Sequence, residues 1–252
     1  QTNRRGLKKC CLYPGLLWVA VGSVHAQFVA GDQYYNQQAL STINALSAYT
    51  QGYSGSGVTI GVVDSGLDPN HIAFSGALVG AMGWSRTDPA DLLVNNWVSQ
   101  TGNSNFASFL NDYKADGVTI DGHGSFVTSI AAGRLNGLSV ANNIMGVAYN
   151  ANVVLGQIIF NQTNDQNQPV GTGLDPEQFA RTIDYVSSQG VKVINNSWGA
   201  KYLPGDMPTS MTASMAEYEE ANFSTIAALR RAQDRGAVIV FAAGNDGLPF
   251  PT

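Results

Sequence analysis

The sequence predicts a doubly wound parallel α/β sheet with helices on both faces, incomplete toward the C-terminus. Three observations predict it. Short β-branched apolar runs recur at residues 58–63, 152–160, 191–194 and 237–241. Helical patterns alternate with them, as in successive strand–helix–strand units. The runs are also nearly continuous in apolarity, as expected of strands covered on both faces.

In chain order, a helix is expected over about 36–49, with Leu40, Ile43 and Leu46 on one face. A Gly/Ser turn cluster at 52–57 leads into the first strand, which ends at Asp64. From about 73 to 120 the pattern breaks down into an Asn-, Ser-, Asp- and Gly-rich stretch, read as an irregular insertion. A helix opens near His123, with Val127, Ile130 and Ala131 on one side, and the strand at 152–160 follows. Asp175 suits an N-cap, Pro176 the first helical position and Gln178 the third. Phe179, Ile183 and Val186 give that helix its apolar face, and Gly190 suits its end. The strand at 191–194 ends in Asn195-Asn196-Ser197-Trp198-Gly199. A helix within 209–235 and the strand at 237–241 complete the alternation, ending in Gly244-Asn245-Asp246-Gly247. No internal repeat and no linker divides the chain.

Arg4, Arg5, Lys8 and Lys9, the apolar run 12–21 and Val24-His25-Ala26 predict a signal peptide over residues 1–26. The apolar run is too short to be a convincing membrane span. Both cysteines, Cys10 and Cys11, fall inside it. The mature chain would carry none, which excludes disulfide scaffolds and cysteine nucleophiles. Lys8 and Lys9 directly before Cys10 also argue against a lipoprotein signal. Removal of four basic residues takes the formal charge from -5 to -9, and no basic stripe remains to bind nucleic acid. The absence of an initiator Met and the closing Pro-Phe-Pro-Thr run lead us to expect a fragment.

In an open parallel sheet, ligands gather beyond the carboxyl ends of the strands. Asp64-Ser65-Gly66, the 195–199 segment and the 244–247 segment all fall there, and His123 opens the helix after a long crossover. A carboxylate at the end of a buried strand needs a partner, because an unpaired buried charge is costly. An imidazole donating Nδ1–H is the natural one. At a helix N-terminus, between Gly122 and Gly124, that ring is kept neutral and able to take a proton. Asn245, on a glycine-flanked turn, is placed to offer an amide N–H to an oxyanion. Ser197, Trp198 and Gly199 offer backbone to an extended peptide. Taken singly, each has a plainer reading: a turn cap, a surface His, turn chemistry, a strand end with a packed Trp. Together they outweigh those readings.

These blocks resemble the subtilisin-like serine proteases of peptidase family S8. The resemblance runs in the family's order through residues 51–68, 121–125, 146–151, 193–199 and 238–247, most of the chain from about residue 47. It implies a subtilisin-like fold and a secreted endopeptidase with Asp64 as triad aspartate, His123 as general base, Asn245 as oxyanion amide and Ser197, Trp198 and Gly199 as substrate-pairing strand. Residues 27–252 would be part of that peptidase domain. The family's Gly-Thr-Ser helix start is not found among residues 1–252, so the nucleophile is expected downstream and the chain alone is expected to be inactive. A long Asp64–His123 spacing and little room for a pro-domain resemble the autotransporter branch of Gram-negative bacteria. There a C-terminal β-barrel carries the protease across the outer membrane, with secretion or surface display as the outcome. The alternative is a catalytically dead passenger acting as a binding module or adhesin. A dinucleotide site fails, because Gly55 and Gly57 precede their strand. No metal or cofactor is expected in the site. Family members often bind calcium, but no loop here has a trusted ligand spacing.

Overall fold

The structure is a computed structural model that describes residues 32–35, 37–84, 92–95, 122–135, 145–158, 162–163, 169–170, 176–198, 220 and 222–244. The N-terminal part forms three short helices, α1 (Asp32–Tyr35), α2 (Gln38–Thr42) and α3 (Ala45–Thr50). One continuous helix was the expectation for 36–49. Asn44 breaks it by entering the left-handed region at φ 54°, a conformation that Asn tolerates better than most residues. Tyr34, Leu40, Ala45 and Tyr49 from this part are buried against Met145 and Tyr149.

The main sheet contains β1 (Thr59–Asp64), β2 (Leu78–Trp84), β3 (Leu92–Asn95), β4 (Asn152–Gln157), β7 (Val193–Asn196) and β8 (Val238–Phe241). Their order is β3-β2-β4-β1-β7-β8. All neighbours run parallel except β3, which pairs antiparallel at the edge. A two-residue pair, β5 (Gln162–Thr163) and β6 (Pro169–Val170), forms a separate small ribbon. The parallel, doubly wound expectation holds. The expected irregularity of 73–120 does not hold throughout, since β2 and β3 lie inside it. Gly80, Ala81 and Gly83 dilute the apolar signal of β2, yet Ala81 and Met82 are fully buried.

Helices cover both faces. On one, α5 (Pro176–Ser188) and α6 (Phe223–Asp234) pack Ile183, Val186, Ala228 and Ala232 against Val63, Val154 and Ile194. Each fully buried Ile or Val contributes about 1.5–3 kcal/mol. The expected face of α5 is confirmed at Ile183 and Val186, with Phe179 partly buried. Asp175 and all of 209–219 lie outside the described residues.

On the other face, α4 (His123–Ala132) and the 3₁₀ turn Ile72–Phe74 cover Val62, Val153 and Leu155. Here the expected face holds in part: Val127 and Ala131 are partly buried against this core, while Ile130 is exposed. The fully buried side of α4 is Gly124, Ser125, Thr128, Ser129 and Ala132. The helix lies so close to the β1 turn that a Cβ on Gly124 would be driven into the Gly66 carbonyl oxygen. Small residues are therefore required on that side, and apolar spacing cannot reveal them.

Candidate active site

Strand order reverses around β1: the chain winds to β2 and β4 on one side, then to β7 and β8 on the other. This is the switch point at which open α/β sheets form a crevice. The register places Asp64 beside Gln157 of β4 and Val63 beside Asn196 of β7. The carboxyl ends of three adjacent strands thus meet at one level, and the N-terminus of α4 arrives above them.

Asp64 is fully buried, and its Oδ1 lies 2.8 Å from Nδ1 of His123. A carboxylate accepts, so Nδ1 carries the proton and Nε2 presents its lone pair. The same Oδ1 accepts the Ser65 N–H at 2.8 Å. The His123 side chain is 41% exposed. The pair therefore joins a fully buried carboxylate to an imidazole that is itself partly exposed. In that arrangement the carboxylate fixes the tautomer and stabilises the imidazolium formed on protonation.

Several neighbours bond the segments that carry this pair, and the sequence reading did not single them out for it. Gln157 donates Nε2–H to the Ser65 carbonyl at 2.8 Å. Ser65 Oγ accepts the Gly124 N–H at 2.9 Å, and Ser125 Oγ accepts the Asp68 N–H at 2.8 Å. A signal for Gln157 did exist: it is a polar residue directly after the apolar run 153–156, at the level of Asp64.

Trp198 packs its ring between Phe179 and Phe241, with centroids 5.1 and 5.5 Å away, and donates Nε1–H to Val63 O at 2.9 Å. Its side chain serves the sheet end. Asn195 Nδ2 donates to Ser197 Oγ at 3.0 Å, and Asn196 bridges to Val240 O at 3.1 Å. Gly199 and Asn245 lie outside the described residues; the described chain after β8 runs to Gly244. His71 caps the 3₁₀ turn by accepting the Ala73 N–H, as a loop residue would. Among the described residues, no three His, Cys, Asp or Glu side chains gather in a way that could hold a metal.

A mainly parallel sheet covered by helices on both faces, with a buried Asp bonded to a helix-opening His at its switch point, is the architecture of a subtilisin-like α/β fold. The chain belongs to the subtilase (peptidase S8) family, whose profile matches residues 55–251. It is 28% identical over 244 residues to an extracellular serine protease of Serratia marcescens, covering 84% of this chain and 19% of that protein. It is 27% identical to thermitase of Thermoactinomyces vulgaris, covering 89% of this chain and 61% of thermitase. Among solved structures it is similar to the nisin leader peptidase NisP of Lactococcus lactis. That match has a TM-score of 0.53 at 22% identity, covering 87% of this chain and 52% of NisP, and it concerns the fold. The chain spans less than two thirds of each of these proteins.

Proposed function

We propose that this chain is the Asp–His part of an exported serine endopeptidase. The observation that carries the reading is the 2.8 Å contact between buried Asp64 and half-exposed His123. In this reading Nε2 of His123 takes the proton of a serine hydroxyl as that oxygen attacks a peptide carbonyl. Asp64 stabilises the resulting imidazolium, and the proton then passes to the leaving amine. In this reading the nucleophile is a serine downstream of Thr252 and the chain alone is inactive; that no Gly-Thr-Ser helix start occurs among residues 1–252 supports it. Asn245 supplies an oxyanion donor; removing such a donor costs on the order of 3 kcal/mol of transition-state stabilisation in well-studied serine proteases. The backbone of Ser197, Trp198 and Gly199 pairs with the substrate as an added strand.

Export through residues 1–26 and secretion or surface display fit the basic, apolar N-terminal pattern, and the Serratia relative is named as extracellular. Autotransport through a C-terminal β-barrel belongs to the same proposal. Protein or peptide substrates are its partners.

The test is to express the reading frame extended past Thr252 and treat it with a fluorophosphonate serine probe and a casein substrate. The expected result is a labelled serine downstream of residue 252. Turnover should fall about ten-thousand-fold in Asp64→Asn and about a million-fold in His123→Ala. A folded protein that is neither labelled nor active would overturn the reading and leave the binding module.

A further inference from the structure

The helix that carries His123 starts without a cap of its own. Its N-cap is Gly122, at φ 60°, with no side chain to accept the first N–H groups of α4. Those groups have no partner within the helix and must be satisfied from elsewhere. The Gly124 N–H is satisfied across the fold by Ser65, the residue after Asp64, at 2.9 Å. Ser125 of the same helical turn returns the arrangement, accepting the Asp68 N–H at 2.8 Å. Each segment thus caps the other, as the two residues of a capping box do within a single helix.

The clasp connects directly to the Asp–His pair. The Ser65 N–H donates to the Asp64 Oδ1 that accepts from His123, while Ser65 Oγ holds the residue after His123. Gln157 fixes Ser65 from β4 through its carbonyl. Contact between Gly124 and Gly66 leaves the two backbones no slack. Ser65 and Ser125 are 4% and 6% exposed, so neither is available to attack a substrate.

We propose that Ser65 and Ser125 are positioning residues that hold the His123 imidazole on the Asp64 carboxylate by capping the His123 helix from a separate strand turn. This rests on the Asp64–His123 reading above. Removing Ser65 Oγ strands a buried Gly124 N–H. The first turn of α4 then opens, and His123 leaves Asp64 more often. A threonine retains the acceptor and restores the clasp.

The test is nitrogen-15 histidine NMR of the 252-residue chain, following the His123 Nδ1–H and both ring nitrogens. Losing one hydrogen bond of ordinary strength corresponds to about a tenfold faster exchange of that proton with water in Ser65→Ala. The ring nitrogens should move toward a mixture of tautomers. Ser125→Ala should shift both readouts in the same direction, and Ser65→Thr should restore them. Amide exchange at Val62 and Leu155 should stay at wild-type values throughout. Wild-type behaviour of Ser65→Ala, with the Nδ1–H lost in Asp64→Asn, would remove the clasp and leave the pair standing. Loss of protection at Val62 and Leu155 in Ser65→Ala would make the serine a general structural residue and equally overturn the proposal. A wild-type Nδ1–H in Asp64→Asn would overturn the pair and the proposed function with it.

Discussion

The Trp198 indole N–H donates to the Val63 carbonyl at 2.9 Å, tying the end of β7 to β1 one residue before Asp64. The contact joins two strand ends that carry different parts of the candidate site. It also uses the one polar atom of a side chain otherwise packed on Phe179 and Phe241. Trp198→Phe keeps an aromatic ring but leaves the Val63 carbonyl without that donor. The expected loss is about 1–2 kcal/mol, read as a lower urea midpoint at unchanged slope. A midpoint equal to wild type would show that the indole N–H contributes nothing net.

Gly124→Ala tests the close approach of α4 to the Asp64 turn. The added Cβ meets the Gly66 carbonyl oxygen, a backbone atom that cannot rotate away. Relief requires the first turn of α4 to lift, carrying His123 with it. The expected cost is about 1–3 kcal/mol, with weakening of the Asp64–His123 contact. Calorimetry and the His123 ring-nitrogen shifts check the two effects separately. A variant as stable as wild type, with unchanged ring shifts, would contradict the packing described.

Where side-chain pattern and burial coincide, the fold could be read from the sequence. The strand of Asp64 and the Ile183–Val186 face of α5 are such places, because β-branched runs and 3.6-residue spacing are direct consequences of burial. The face of α4 could be read this way only at Val127 and Ala131. Its buried residues are Gly, Ser, Thr and Ala, selected by distance to the neighbouring backbone, which a sequence does not display. Likewise β2 was hidden by its glycines, and the break at Asn44 depended on a single backbone angle. Asp64 and His123 were legible because a strand end and a glycine-flanked helix start each mark a position in space. Ser65 and Ser125 were passed over because a serine in a turn is locally unremarkable. Their function is a contact between segments about 60 residues apart.

Tyr49 predicts an alkaline limb. Its hydroxyl donates to Val147 O at 2.8 Å, and its ring meets Tyr149 and Tyr34 edge-on at 5.2 and 6.2 Å. Burial, reinforced by the neighbouring Tyr149 and Tyr34, pushes its phenol from 10.0 up to about 12. The folded protein therefore holds this proton at a pH where the unfolded chain has released it. The contribution is complete below pH 10.0 and is lost as pH rises toward about 12. The loss amounts to about 2–3 kcal/mol. Tyr49→Phe should lower neutral stability by about 1 kcal/mol and flatten that limb. Urea titrations across the range, with tyrosinate absorbance in parallel, check both. A limb of unchanged steepness in the variant would assign it to other groups.

Asp184 predicts an acid limb of opposite sign. It sits between α5 and α6, where Arg231 grips it through Nε at 3.0 Å and Nη2 at 2.6 Å, and Arg235 adds a third bond at 2.9 Å. Partial burial pushes its carboxyl up. The hydrogen bonds and charges of Arg231 and Arg235 outweigh that and hold it below the usual 3.8. A depressed carboxylate stabilises the fold fully above its unfolded value, and that stability is lost as pH falls through the folded value. The pair is partly solvated, so its worth at neutral pH is about 1 kcal/mol, toward the upper end for exposed ion pairs. Asp184→Asn should cost that much near neutrality, and the gap to wild type should close as pH drops below 3.8. High salt should narrow it as well, because these charges are within reach of solvent. A gap that stays constant through the acid range would mean that Asp184 contributes by packing, with its charge playing no part.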